Sequence, residues 1–409
     1  MAPVTARPPH PAWIEVDLDA LAHNAAVLRR ATPTSAALGI LVKAHGYGHG
    51  REMAARAALA GGADQLIVAT LDEGLGLRAA GIGAPILVVY PVSPDGLGDA
   101  VEAGIELSVG GIDGAQPLLI AWAQHRERRP DRTLQVHVEI DSGMGRGGVA
   151  PDDLVQVVRL LDAEPSITFA AAWSHLADGR DPDRSATQAE RFESGMAALA
   201  ATGRTIPMRH LVATEGLFAE TAPAYEMVRI GLAFYGELGL DVEPAPAKAE
   251  LAARLRPAMT VKARPVRVES IPDGASVGYG GEWTAERPSR IATLPIGYAD
   301  GWTRASWPGA SVLVRGRRVP LVGRVSMDAI CVDVTDVEGV TAEEEFVLLG
   351  TQGNDRISPG DVARQRGTIP NEVFCAFGAR LPRVYLEGGR MAAISRQDEG
   401  VERAPGATS

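Results

Sequence analysis

AALGILVKAHGYGHGREMAARAALAG (36–61) decides the fold. Its first part, AALGILVKA (36–44), is apolar on both faces, as a strand covered on both sides must be. A glycine-spaced turn follows, and REMAARAALAG then carries small apolar residues at helical spacing. The stretch is one strand–turn–helix unit. Working outward, seven more runs read as strands: QLIVAT (65–70), PILVVY (85–90), IELSVG (105–110), LQVHVEI (134–140), ITFAAAWS (167–174), RHLVA (209–213) and MVRIG (227–231). Helical patterns lie between them, DDLVQVVRLLDA among them, and Asp19 can cap an earlier helix that aligns Leu21, Ala25 and Leu28. Eight alternations over roughly 230 residues are the arithmetic of a (β/α)8 barrel of the TIM type. An open doubly wound sheet fits the same alternation.

Past about residue 245 the texture changes. PAPAKAELAARLRPAM reads as a Pro- and Ala-rich connector. Short alternating β-branched runs follow, separated by Gly, Pro and Asp turns: MTVKARPVRVESI, RIATLPIGYADG, SVLVRGRRVPLVGRV, AICVDVTDV and EEFVLLG. The expected organisation is a barrel over 13–245 and a mostly antiparallel β domain over 246–395. Flexible ends are expected at 1–12 and 396–409, the latter because its tail is polar and contains Pro and Gly.

Of the 409 residues, 40 are Lys or Arg and 51 Asp or Glu, a formal charge of −11. Hydrophobic residues make up 46%, enough for a large core and against intrinsic disorder. An acidic balance argues against nucleic acid as the main partner. With two cysteines, Cys331 and Cys375, no disulfide framework is implied, and a cytoplasmic home is expected. The start, MAPVTARPPHPAW, does not read as a signal peptide. No apolar run is long enough for a membrane span, and no metal site is expected.

Chemistry concentrates at one end of the strands. Lys43 closes the first, where barrel enzymes place catalytic groups. A lysine hemmed in by an apolar strand and glycines can lose its proton and condense with a carbonyl. Arg146 lies in DSGMGRGG (141–148), His175 follows the sixth strand, Thr214 the seventh, and Arg229 sits on the eighth. Singly, each has a plainer reading: a rim charge, a satisfied core imidazole, a helix cap, a buried stem with its charged head at the surface. Their convergence at one end of five strands carries the argument. The loops after strands seven and eight, with Thr214, Ile230 and Gly231, are where barrels often bind phosphate.

LVKAHGYGHG, DSGMGRGGV, SHLADG, MVRIGLAFYG, GYGGEWTA, LPIGYADGWTR and VGRVSMDAI together resemble the alanine racemases, from about Trp13 to about Tyr385. That family pairs a barrel holding pyridoxal 5′-phosphate with a C-terminal β domain and works as a homodimer with shared active sites. The resemblance implies that Lys43 holds the cofactor and is the base on one face of the substrate. It implies that Tyr279 of a partner subunit serves the opposite face, the two together giving racemisation. Tyr47 and Thr214 resemble phosphate ligands. Arg229 resembles the donor to the pyridine nitrogen, and His175 its support. Arg146 resembles the arginine near the cofactor's phenolate oxygen and the substrate carboxylate. Tyr298 and the Met327 amide resemble entrance and carboxylate-binding positions from the second subunit, with Asp328 beside them in support.

Three positions depart from the family pattern. Glu139 stands where many members carry a lysine that becomes carbamylated, and it supplies an anion to Arg146 without carbon dioxide. Ser326 replaces a cysteine. In TIPNE (368–372), Asn371 stands in place of a tyrosine that narrows the space beside the substrate methyl group. The implied activity is interconversion of L- and D-alanine, with serine also accepted. The alternatives are a serine or broad-specificity racemase, a relative acting on an unusual amino acid in biosynthesis, and a non-enzymatic pyridoxal phosphate homeostasis protein. Proteins of the last kind lack the second domain.

Overall fold

A computed structural model describes residues 10–396 and 399–403. The chain divides into two compact units. One holds Leu21–Gly46 and Arg51–Arg256; the other holds the start of the chain through Ala20, Tyr47–Gly50 and everything from Pro257 on.

β1 (Ala12–Asp17) belongs to the second unit. The eight expected strands follow as β2 (Ala37–Leu41), β3 (Gln65–Val68), β4 (Ile86–Val88), β5 (Glu106–Val109), β6 (Leu134–Glu139), β7 (Ile167–Trp173), β8 (Arg209–His210) and β9 (Met227–Ile230). They pair in parallel and in order, and β9 returns to β2 through Ala37↔Met227 to Ile40↔Ile230, so the sheet is a closed barrel and not an open one. Strands such as β3 and β9 are buried throughout, as expected for a sheet wrapped in helices. The connector read at 244–259 contains a helix, Pro246–Ala253, opened by proline at its first position.

The other unit is built on a largely antiparallel sheet. β10 (Met259–Ala263) lies between β1 and Phe346–Gln352. Ser311–Val314 and Arg317–Val322 form a tight hairpin through Arg315 and Gly316, both at positive φ (51° and 73°), the signature of a mirror-image turn that matches strand twist.

Two sequence boundaries shift. The reading that began the barrel domain at residue 13 had no strand at Ala12–Asp17. That segment buries Ala12, Trp13, Ile14 and Val16 and pairs antiparallel with β10 and parallel with Arg383–Glu387, both far along the chain. At the other end, Glu399–Arg403 is a strand paired with Arg390–Arg396 within the stretch expected to be loose. Residues 1–9, 397–398 and 404–409 of the expected flexible ends lie outside the described residues.

Candidate active site

Lys43 follows β2 at the carboxyl end of the barrel, and the chain leaves it in an unusual conformation. Ala44, His45, Gly46 and Tyr47 all take left-handed φ values, 51°, 55°, 64° and 49°. For a residue with a Cβ this costs about 1–2 kcal/mol each, so the turn persists only where its surroundings impose it. Glu73 is one such constraint. Its Oε1 accepts the Ala44 N–H at 2.6 Å, and its Oε2 accepts the Ala69 and Thr70 N–H groups at 2.9 and 3.4 Å. Glu73 and Thr70 also form a capping box at the start of helix Leu71–Ala79, so one carboxylate ties that helix to the lysine turn.

A cavity of about 610 Å³ opens at this rim, lined by Lys43, Tyr90, Asp113, Glu139, Arg146 and Trp173 among others. Arg146 sits on a loop folded around Asp141, whose Oδ1 accepts the Gly143 and Gly145 N–H groups at 2.9 and 3.0 Å. Glu139, the last residue of β6, lies under that loop: a Cβ on Gly147 would touch Glu139 Oε2 at 3.4 Å. Burial raises the Glu139 carboxyl pKa, while the charges of Arg146 and Arg229 pull it down.

Arg229 is buried, at 4% exposure. Its Nη1 donates to His210 Nδ1 at 2.9 Å, and its Nη2 to the Ser174 carbonyl at 2.6 Å and to His175 Nδ1 at 3.3 Å. Its Cζ lies 4.9 Å above the Trp173 ring. Burial pushes the guanidinium down to about 9, against the pull of Glu139, and it stays charged near neutrality. Burial, with the charges of Arg229, Arg146 and Lys43, pushes His175 down to about 3, so its imidazole is neutral and Nδ1 can accept.

Thr214 opens helix Thr214–Ala219 and accepts the Ala233 N–H at 3.4 Å. This joins the loop after β8 to the loop after β9, where Ile230 ends the strand and Gly231 precedes the turn Leu232–Tyr235. Lys43, Glu139, Arg146, His175, Thr214, Arg229, Ile230 and Gly231 thus all belong to the carboxyl end of one barrel.

The remaining sequence candidates lie in the other unit. Tyr47 is buried, and burial raises its phenol pKa, with Cys375 adding to the rise. Tyr279, Tyr298 and Met327 are exposed at 67%, 40% and 52%. Backbone bonds Tyr298 N–H to Ser326 O (3.1 Å) and Ala299 N–H to Met327 O (3.0 Å) lock the last two loops together. Asp328 accepts from Arg380 Nη2 at 2.8 Å, and Asn371 is half-buried in helix Pro370–Ala376.

The sequence reading missed Glu73, Glu106, His137 and His210. The last three join Arg229 in a hydrogen-bonded chain through the barrel interior. The available signal was a histidine set between two valines in a strand, His137 in LQVHVE.

Residues 16–239 match the family model for the alanine racemase N-terminal domain, and residues 258–385 that for the alanine racemase C-terminal domain. The chain belongs to the alanine racemase family. A curated relative named alanine racemase, from Symbiobacterium thermophilum, is 39% identical over 93% of this chain and 98% of its own. Alanine racemase 2 of Caldanaerobacter subterraneus subsp. tengcongensis is 36% identical over 93% and 96%. Among solved structures, alanine racemase from Bacillus anthracis with bound L-Ala-P is 30% identical, with a TM-score of 0.85 over 96% of this chain and 99% of that one. Like its relatives, this member of the alanine racemase family is an amino-acid racemase, an isomerase.

Proposed function

We propose that the protein interconverts L- and D-alanine using pyridoxal 5′-phosphate held at Lys43. The observation that carries this reading is the pairing, at the carboxyl end of one barrel, of the cavity-lining Lys43 with a buried Arg229 oriented by His210. The donor set fits the cofactor: an amine for its aldehyde, a guanidinium for a ring nitrogen, and the linked loops of Thr214 and Gly231 for its phosphate. When bound, pyridoxal phosphate supplies the electron-withdrawing system that acidifies the Cα–H of an attached amino acid.

The chain's own residues do the rest. Lys43 holds the cofactor and moves the α-proton on one face, and Tyr279, contributed by a partner subunit, moves it on the other. Arg229 keeps its proton near neutrality, so it orients an acceptor nitrogen without protonating it, and His175 supports it. Arg146, held near the Glu139 anion, binds the substrate carboxylate, with the Met327 amide and Tyr298, both contributed by the partner subunit, at the entrance and Asp328 in support. The exposure of Tyr279, Tyr298 and Met327 leaves them accessible to a partner subunit, as the homodimer of this reading requires. Cys331 and Cys375 are not joined in a disulfide, which suits a reducing cytoplasm. Asn371, smaller than tyrosine, leaves room for the hydroxymethyl group of serine.

The test is a chiral assay over common L-amino acids with added pyridoxal phosphate. Alanine is expected to racemise, Lys43→Ala to lose both activity and the visible absorption, and Tyr279→Phe to keep the colour while losing exchange in one stereochemical direction. Full-rate racemisation by Tyr279→Phe overturns the two-base assignment. Mixed Lys43→Ala and Tyr279→Phe dimers are expected to recover activity through hybrid sites.

A further inference from the structure

Arg229 is the end of a chain of hydrogen bonds that crosses the barrel. His210 Nδ1 meets Arg229 Nη1 at 2.9 Å. His210 Nε2 meets His137 Nδ1 at 3.0 Å, and His137 Nε2 meets Glu106 Oε2 at 2.9 Å. Gln65 Nε2 donates to the same carboxylate oxygen at 2.7 Å. β6 and β8 are not neighbours, since β7 separates them, so the contact between the two imidazoles spans the barrel interior. His137 and His210 are buried at 2% and 0% exposure. Trp173 on β7 walls the chain: its ring lies parallel to His210 at 6.0 Å, and its indole N–H donates to Ser108 Oγ at 2.8 Å. Glu106 begins β5, at the end of the barrel opposite Lys43, and it lines a separate cavity of about 290 Å³ with Asp131, Arg132, Thr133 and Gln135.

The proton positions follow from donor chemistry. A guanidinium only donates, so His210 Nδ1 must accept. His210 then carries its proton on Nε2 and donates to His137 Nδ1. His137 in turn carries its proton on Nε2 and donates to Glu106, which as a carboxylate only accepts. A pure donor at one end and a pure acceptor at the other leave one arrangement, two neutral imidazoles with both protons on Nε2. An imidazolium at His137 would place an N–H on Nδ1, force the proton of His210 onto its Nδ1, and point two donors at each other beside Arg229. Burying such an unsatisfied pair is costly.

We propose that Glu106, His137 and His210 form a positioning relay that fixes the orientation of the Arg229 guanidinium from the opposite end of the barrel. None of the three touches the Lys43 cavity. They act by giving Arg229 Nη1 one acceptor in one place, which, with the Ser174 carbonyl and His175 on Nη2, fixes the plane of the guanidinium. The functional consequence rests on the role proposed for Arg229; the proton arrangement does not.

The experiment uses the full chain saturated with pyridoxal phosphate and labelled with nitrogen-15 at histidine. Solid-state nitrogen resonances of His137 and His210, assigned through His137→Asn and His210→Asn, are expected to show a bare Nδ1 and a protonated Nε2 at neutral pH. A proton on Nδ1 of either ring, or on both nitrogens of one, overturns the relay. Glu106→Leu, which removes the terminal acceptor, is expected to lower kcat for alanine about tenfold with little change in KM, and to shift the absorption of the bound cofactor. Glu106→Gln keeps an acceptor oxygen and is expected to recover most of kcat and the parental nitrogen shifts. A Glu106→Leu variant that folds with parental kcat and parental shifts overturns the proposal. If the parent protein racemises no amino acid, the proposed reaction fails, and the nitrogen shifts still decide the relay.

Discussion

Acid is expected to destabilise the barrel through its neutral buried imidazoles. Burial, with the charge of Arg229, holds His210 well below the ordinary range, and His175 is pushed down to about 3. An unfolded imidazole titrates near 6.5. The folded values lie below the unfolded one, so this contribution is intact above about pH 6.5 and is lost as pH falls through it, because only the unfolded chain takes up the proton. At about pH 5 each imidazole favours unfolding by RT ln(1 + 10^1.5), or about 2 kcal/mol, against about 0.2 kcal/mol at about pH 7. His210, fully buried, is expected to account for up to about 2 kcal/mol of lost stability over that span, and partly buried His175 for up to as much again. Carboxylates also titrate there, so the measurement is a double difference. Urea unfolding followed by tryptophan fluorescence at the two pH values, for the parent and for His210→Gln, isolates the imidazole. The variant starts less stable, since it loses the bond to His137, yet acidification is expected to cost it less, by up to about 2 kcal/mol. Equal losses on acidification would refute the assignment of a neutral His210 and, with it, the donor logic of the chain to Glu106.

Three further outcomes follow from single residues. Gly50 sits at φ 99°, and a Cβ there would overlap the Tyr385 hydroxyl, so Gly50→Ala is expected to destabilise by about 2–4 kcal/mol in thermal melts. Glu73→Ala removes the acceptor that holds the Ala44 amide and half of a capping box, for about 1–2 kcal/mol of stability and weaker cofactor retention at Lys43, read as visible absorption after dialysis. Asn371→Tyr is expected to lower the serine-to-alanine ratio of racemisation rates in a chiral assay; equal ratios in the two proteins remove the size argument.

The barrel was legible because each of its strands announces itself locally. QLIV, ILV and MVRI are buried along their whole length and bounded by turns, and their alternation with helices needs no knowledge of pairing. Ala12–Asp17 was not legible, because its partners come from Met259–Ala263 and Arg383–Glu387 and nothing nearby distinguishes it from the lead-in to a helix. The rim residues could be collected because all of them lie at or just past the carboxyl ends of strands, a one-dimensional criterion. The polar chain inside the barrel has no such criterion. His137 and His210 are 73 residues apart on strands that never pair, and a lone histidine in an apolar strand is more often a satisfied core group than a working part. Barrel closure gives them meaning by bringing alternate strands face to face across the interior, where aliphatic layers usually sit. On the proposed reading, a buried guanidinium beside pyridoxal phosphate has to be held still without being neutralised. A run of neutral imidazoles does this, accepting at one end and passing the demand for an acceptor on to Glu106, whose carboxylate reaches the cavity beyond. A carboxylate bonded directly to Arg229 would orient it equally well but would cancel the charge that the site uses.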